Sequence, residues 1–205
     1  MTGIITGDII NSRKIKNPQK WLTPLKKLLS EQGKSPKAWE IYRGDSFQLE
    51  VKKPEDTLLT AIRIKAAIRC VRGIDVRLAL GVGKKDYAAP RITESNGEAF
   101  IYSGEKLAML EKEKQTLAVK TPWPDFDREI NICIRLGLIV MDNWTPGVAE
   151  LVKLSIEHPD ISQQEMGKML GIAQSSVSER QKRAHLSEIL EMEALYREKL
   201  GKLVQ

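Results

Sequence analysis

Apolar positions recur along this chain with two different periods, and the change between them divides it. Up to about residue 121, short β-branched runs alternate with amphipathic stretches; beyond the proline-punctuated TPWPDFD at Thr121–Asp127 the spacing is helical throughout. Gly3–Arg13, GIITGDIINSR, opens apolar and ends polar, which predicts a buried strand that delivers polar groups at its C-terminal end. Pro18 opens a helix through about Leu29, with Trp21, Leu22, Leu25, Leu28 and Leu29 on one face. Ala38–Val51 contains two alternating strands around Gly44 and Asp45, read as a two-residue hairpin loop with Asp45 at an exposed tip. From Pro54 a further helix presents Leu58, Leu59, Ile62, Ile68 and Val71 to the core and leaves Arg63, Lys65, Arg69 and Arg72 solvated. Asp75–Gly83 is a strand, a polar loop runs to about Asn96, and a helix over Gly97–Glu111 and a strand over Thr116–Thr121 follow. This order predicts an α/β (α+β) domain over residues 1–121, a mixed sheet with helices packed on one face, followed by an all-α domain over 122–205.

The helical half contains the most specific pattern. In SQQEMGKMLGIAQSSVSERQKRAH, Ser162–His185, Ser162 is an N-cap with Glu165 three residues on, and Met166, Met169 and Leu170 recur at helical spacing. Small Gly167 leaves room for a second helix, Gly171 turns the corner, and Gln174–Ala184 continues as a helix anchored by Val177 and Ala184. The pattern predicts a helix-turn-helix. Its second helix offers Gln174, Ser175, Ser176, Ser178, Lys182 and Arg183, with Glu179 beside them, to base edges and phosphates of double-stranded DNA, and Arg180 counts among the candidate contacts. Arg180 and Gln181 also stand where such motifs often carry a bulky apolar residue, so the reading helix is expected to be lightly anchored. A plain packing corner between two short helices is the competing reading. Ile130–Met141 is nearly all apolar and is expected to be buried on most sides, against the first domain or a second subunit. Leu186, Ile189, Leu190, Tyr196, Leu200 and Leu203 mark a last amphipathic helix, for homodimer formation or for packing on its own domain.

Composition narrows the classes further. With 205 residues, 41% of them hydrophobic, the chain can bury a core without covalent staples. Cys70 and Cys133 lie far apart without metal or redox spacing and read as small buried residues; the only histidines, His158 and His185, exclude most histidine-based zinc sites and leave little for a serine triad. No apolar run is long enough to span a bilayer and the first residues lack a signal-peptide pattern, so the expected location is cytoplasmic and no membrane partner is expected. The formal net charge of +6 is compatible with a polyanionic partner and leaves the decision to where the charges sit.

Three motifs in order, GDIINSRKI at Gly7–Ile15, RGDSFQ at Arg43–Gln48 and RLALGVG at Arg77–Gly83, resemble the bacterial SatD family over roughly residues 1–120. That family is in turn similar to the palm-like, ferredoxin-like catalytic domain of class III nucleotidyl cyclases and GGDEF proteins, in which a first-strand carboxylate and a hairpin carboxylate bind two divalent ions around a nucleotide triphosphate. The resemblance puts Asp8 and Asp45 in those two positions. It implies that they hold Mg2+ or Mn2+ with phosphate oxygens completing the shell, and that Arg13, Lys14, Lys84 and Lys85 are candidates for the remaining phosphate charge. In the cyclases an asparagine and an arginine lie on the last helix; here Ile101 and Glu105 align with them, and the hairpin lacks the second acid of GGDEF enzymes.

Three functions follow as expectations. One is a DNA-binding transcriptional regulator whose first domain is a catalytically degenerate nucleotide- or ligand-binding module. Another is a two-metal nucleotidyltransferase or cyclase using Asp8 and Asp45, with an accessory helix-turn-helix. The third is a structural or protein-binding domain in which both aspartates only cap turns, since Gly-Asp is common turn chemistry.

Overall fold

The structure, a computed structural model, describes residues 1–204. Five strands form one sheet: β1 (Thr2–Ile10), β2 (Trp39–Tyr42), β3 (Ser46–Val51), β4 (Asp75–Gly83) and β5 (Leu117–Lys120), in the order β2-β3-β1-β4-β5. β1 is antiparallel to both β3 and β4, and β5 is parallel to β4. The β2-β3-β1-β4 unit has the split βαβ connectivity of ferredoxin-like folds, with β5 added at one edge. β1 lies at the centre, which is why its residues read as a nearly unbroken apolar run. Gly7 is needed there: a Cβ on it would lie 2.7 Å from the Phe47 ring and 2.8 Å from the Arg77 carbonyl oxygen. Residues from all three sequence motifs therefore meet at one point in the sheet.

The strands alternate in what they bury. Ile5, Ile9, Phe47, Leu49, Val76, Leu78 and Leu80 face a large core with α1 (Gln19–Glu31) and α2 (Thr57–Arg69). The other face receives α3 (Glu98–Glu113), through Ile4, Ala99 and Phe100 at one end and Ala79, Leu110 and Ala118 at the other. Three further helices extend the main core without a break: α4 (Pro124–Met141), α5 (Pro146–Glu157) and α8 (Leu186–Leu203). The two short helices between them, α6 (Gln163–Leu170) and α7 (Gln174–Ala184), close over a small separate cluster of Leu151, Met166 and Val177.

Several local expectations need correction. Of the α2 cations expected in solvent, Lys65 is completely buried and Arg69 is mostly so. α2 is enclosed by α1, the sheet and α5, so no side of it is free, and Lys65 is accommodated by Asp75 at 2.9 Å, Asp142 at 2.6 Å and the Thr116 hydroxyl at 3.1 Å. The hairpin loop has three residues, not two: Arg43 and Gly44 take positive φ, Tyr42 pairs with Ser46, and Asp45 is half-buried, not at an exposed tip. Met169 faces solvent, as do Ile132, Leu136 and Ile139 of the helix expected to be buried on most sides. Leu186, Ile189, Tyr196 and Leu200 of α8 pack on their own chain, with the Tyr196 hydroxyl donating to the Pro54 carbonyl at 3.0 Å. Cys70 and Cys133 are half-buried free thiols; burial pushes the Cys70 thiol up to about 11, so it stays protonated at neutral pH.

Candidate functional site

Asp8 lies near the C-terminal end of β1, directly opposite Ser46 on β3 and Arg77 on β4. It projects to the α3 side of the sheet, and α3 covers only part of that side. The Arg77 guanidinium approaches the Asp8 carboxylate at 3.6 Å and Glu111 of α3 at 3.7 Å. Asp45 comes to the same end of the sheet because the hairpin folds onto the β1 exit: its carbonyl accepts from the Ile9 N–H at 3.0 Å and its carboxylate from the Ser12 hydroxyl at 2.6 Å. Asn11, in the left-handed region at φ 62°, bends the chain into the single 3-10 turn Ser12–Lys14 that places Ser12 there. The fold thus brings together the two carboxylates that the sequence named.

The surroundings of Asp8 are unfavourable to its charged form. Burial raises the Asp8 pKa above the ordinary carboxylate range; Arg77 opposes that shift, while Asp45 and Glu111 add to it by repulsion. Burial likewise raises Tyr42, partly offset by Arg43 and reinforced by Asp8. Beside this cluster Arg13, Arg43, Ser12 and Asp45 line a cleft of about 310 Å³. Such a site suits a ligand that brings cations near Asp8 and phosphates near Arg13 and Arg43. Two carboxylates fit one divalent ion whose shell is otherwise completed by phosphate and water. Among the described residues no group of three His, Cys, Asp or Glu side chains is arranged to hold a metal alone.

Lys14 is exposed beside Arg13 but does not line the cleft. Lys84 and Lys85 follow the other end of β4, where Gly83 pairs with Thr2; at ~3.3 Å per residue that end is about 20 Å from Asp8. Lys85 is engaged there with Glu50 at 2.7 Å and lies over the Phe100 ring. Neither lysine joins the carboxylates. Ile101 is half exposed and Glu105 pairs with Lys120, so α3 presents neither an amide nor a guanidinium from those positions. Sequence reasoning did not single out Arg77, Glu111, Tyr42 or Arg43. Arg77 and Arg43 stand inside the quoted motifs, but only the strand register shows that Arg77 faces Asp8.

The second candidate surface is α6–α7. Ser162 and Glu165 form a complete capping box, and Gly171 turns the corner at φ 64°. Gly167 lets the helices approach closely: a Cβ there would meet the Ile172 carbonyl oxygen at 2.8 Å. Val177 and Ala184 are fully buried, and Gln163 links the helices through Gln181 at 2.6 Å and Gln174 at 3.4 Å. Gln174, Ser175, Lys182 and Arg183 are exposed on α7, with Ser176 and Ser178 at the margin. Arg180 does not join them; its guanidinium turns inward and donates to the Gly147 carbonyl of α5 at 3.2 Å. It anchors α7 from the position where an apolar residue was missed.

A chain of polar contacts runs from the start of β4 to the end of α7. Asp75, at the start of β4, binds Arg69 at 3.2 Å; Arg69 donates to the Trp144 carbonyl at 3.1 and 2.6 Å; and the buried Trp144 indole N–H donates to the Ala184 carbonyl at 3.2 Å, at the end of α7. Among known proteins, a model described as SatD family matches residues 3–192, a span that includes the helical half as well as the sheet. No curated protein and no solved structure matches the chain.

Proposed function

The chain belongs to the SatD family, and from that premise we propose that it is a DNA-binding transcriptional regulator whose sheet domain is a catalytically degenerate nucleotide- or phosphate-ligand-binding module. The observation that carries the reading is the α6–α7 unit: a capped first helix, a left-handed glycine corner, a second helix anchored by Val177, and a polar exposed face of amide, hydroxyl and guanidinium groups. The ligand-binding half rests on the convergence of Asp8 and Asp45 beside Arg13 and Arg43. Turnover is disfavoured in this reading because α3 offers Ile101 and Glu105 where a transition-state donor is needed, and because Arg77 already neutralises part of the Asp8 charge. A nucleotide with Mg2+ or Mn2+ would be held by Asp8 and Asp45 through the ion, with Arg13 on phosphate. Its effect would reach Asp75 along the backbone of β4 and pass from there through the contacts of Arg69 and Trp144 to α7.

The approach of Asp45 to Asp8, which helps to raise the Asp8 pKa, favours a second reading, an active divalent-dependent nucleotidyltransferase. Metal-dependent turnover of a nucleoside triphosphate, lost in Asp8→Asn and in Asp45→Asn, would establish it over the first. The test of the DNA reading is substitution on α7. Gln174→Ala should lower affinity for the preferred duplex by about 1–3 kcal/mol and relax preference at one base position, leaving non-specific binding unchanged. Equal loss on all duplexes would contradict base reading by that side chain.

A further inference from the structure

The positive charge of this protein is concentrated in one stretch. Residues 13–37 hold eight lysines and arginines against a single acid, Glu31. The formal net charge of the whole chain is +6, so this stretch supplies all of the surplus and the remainder is close to balance. Trp21, Leu25, Leu28 and Leu29 bury the inner face of α1, and helical spacing turns Lys20, Lys26 and Lys27 outward, with Lys34 and Lys37 exposed in the turn that follows. None of the eight cations forms an ion pair among the described residues. The flanking acids are engaged elsewhere: Glu31 with Arg63 at 2.9 Å, Asp45 with the Ser12 hydroxyl, and Glu40 and Glu94 with Arg91. A merely solvated helix balances its charges, as α8 does, where Arg197, Lys199 and Lys202 each pair with an acid.

We propose that the outer face of α1, with the turn after it, binds the phosphate backbone of a DNA duplex as a sequence-independent contact beside α6–α7. The inference rests on the proposed DNA reading for its partner and concerns a different surface. Charge and position both select that partner. Lys20 and Lys27 lie in line on the helix, ~10.5 Å apart along its axis, a length over which one strand of a B-form duplex presents about three phosphates. The face also adjoins the reading unit. The Arg63 guanidinium holds Glu31, at the end of α1, and Glu157, at the end of α5, at 3.8 Å; Ser162, the cap of α6, follows shortly after Glu157 in the chain. That connection reaches at most about 18 Å, so α6 opens within one duplex turn, about 34 Å, of the end of α1. An anionic bilayer fits less well, because the apolar side of α1 is buried in the core and none of its large apolar side chains is exposed.

The test is duplex binding by the full chain, read by fluorescence anisotropy between about 50 and 200 mM salt, on its preferred sequence and on an unrelated one. Lys20→Gln/Lys26→Gln/Lys27→Gln should weaken binding about tenfold or more, and its plot of log affinity against log salt should be shallower by about 2–3 on both duplexes. The ratio of the two affinities should not change, nor should the thermal midpoint, since all three positions are exposed. Lys20→Arg/Lys26→Arg/Lys27→Arg keeps the charge and should bind as wild type does. Gln174→Ala marks α7 and should lower the affinity ratio alone. A glutamine variant with the wild-type slope overturns the proposal whatever Gln174→Ala does, and so does an arginine variant that loses as much. If the glutamine variant loses slope while Gln174→Ala leaves the ratio intact, the α1 surface stands and base reading by Gln174 fails. Wild type that binds neither duplex, or that uses these lysines to bind phosphatidylserine vesicles and not DNA, also overturns it.

Discussion

Trp144→Phe probes the link between the sheet and α7. Trp144 is 2% exposed, and its indole N–H satisfies the Ala184 carbonyl, one of the acceptors that a helix end leaves without an intrahelical partner. Phenylalanine keeps most of the packing and removes that donor. An orphaned buried acceptor costs about 1–3 kcal/mol, and the lost ring atoms add about 1 kcal/mol of packing and cavity energy. For a chain of this size each kcal/mol moves the thermal midpoint by about 2–4 °C, so a fall of roughly 4–16 °C is expected in a thermal melt followed by circular dichroism. Trp21→Phe supplies the control. Trp21 is equally enclosed, at 3% exposure, but its indole nitrogen has no hydrogen-bond partner, so the same substitution removes volume without breaking a bond. The excess cost of Trp144→Phe over Trp21→Phe isolates the hydrogen bond. If the two variants melt together, the indole does not hold the end of α7 and the proposed route between the surfaces fails.

Lys65→Met leaves Asp75 and Asp142 facing an apolar side chain and should cost about 3–5 kcal/mol in urea denaturation; a cost under about 1 kcal/mol would mean that solvent reaches the cluster. Asp8→Asn should raise the thermal midpoint at pH 7. The folded-state pKa of Asp8 is raised, so its favourable contribution is complete below the ordinary value of 3.8 and is lost as pH rises through the shifted one; the gain in the variant should vanish below pH 3.8. A lower midpoint at pH 7 would show that the Arg77 ion pair outweighs burial. Arg183→Ala should weaken binding to all duplexes and reduce the salt slope by about one, and an unchanged slope would remove Arg183 from the phosphate contacts.

Local signals carried most of the elements. The strand over Asp75–Gly83, the capping box at Ser162 and the left-handed Gly171 follow from period, cap and turn chemistry, which act over a few residues. What failed depended on partners distant in sequence. Lys65 reads as solvated because nothing nearby announces that Asp75, Asp142 and Thr116 converge on it from a strand, a helix end and a loop. Arg180 reads as outward because helical spacing cannot reveal the Gly147 carbonyl of α5. The same limit governs the site. Asp8 and Asp45 were legible through motif resemblance, whereas Arg77 and Glu111 required the register of β1 on β4 and the position of α3. Lys84 and Lys85 were grouped with the aspartates as candidates for phosphate charge, and antiparallel pairing sends them to the opposite end of the sheet.

The central claim is that a ligand at the sheet end alters DNA binding by α7. Its most direct test is binding of the full chain to fluorescent duplexes containing its own upstream region, across a salt series, with and without Mg2+ plus nucleoside triphosphates. Sequence-selective binding whose affinity changes with the nucleotide is expected, with loss of that change, and binding retained, in Asp45→Asn. Absence of selective binding under every condition, or selective binding that no nucleotide alters, would contradict it.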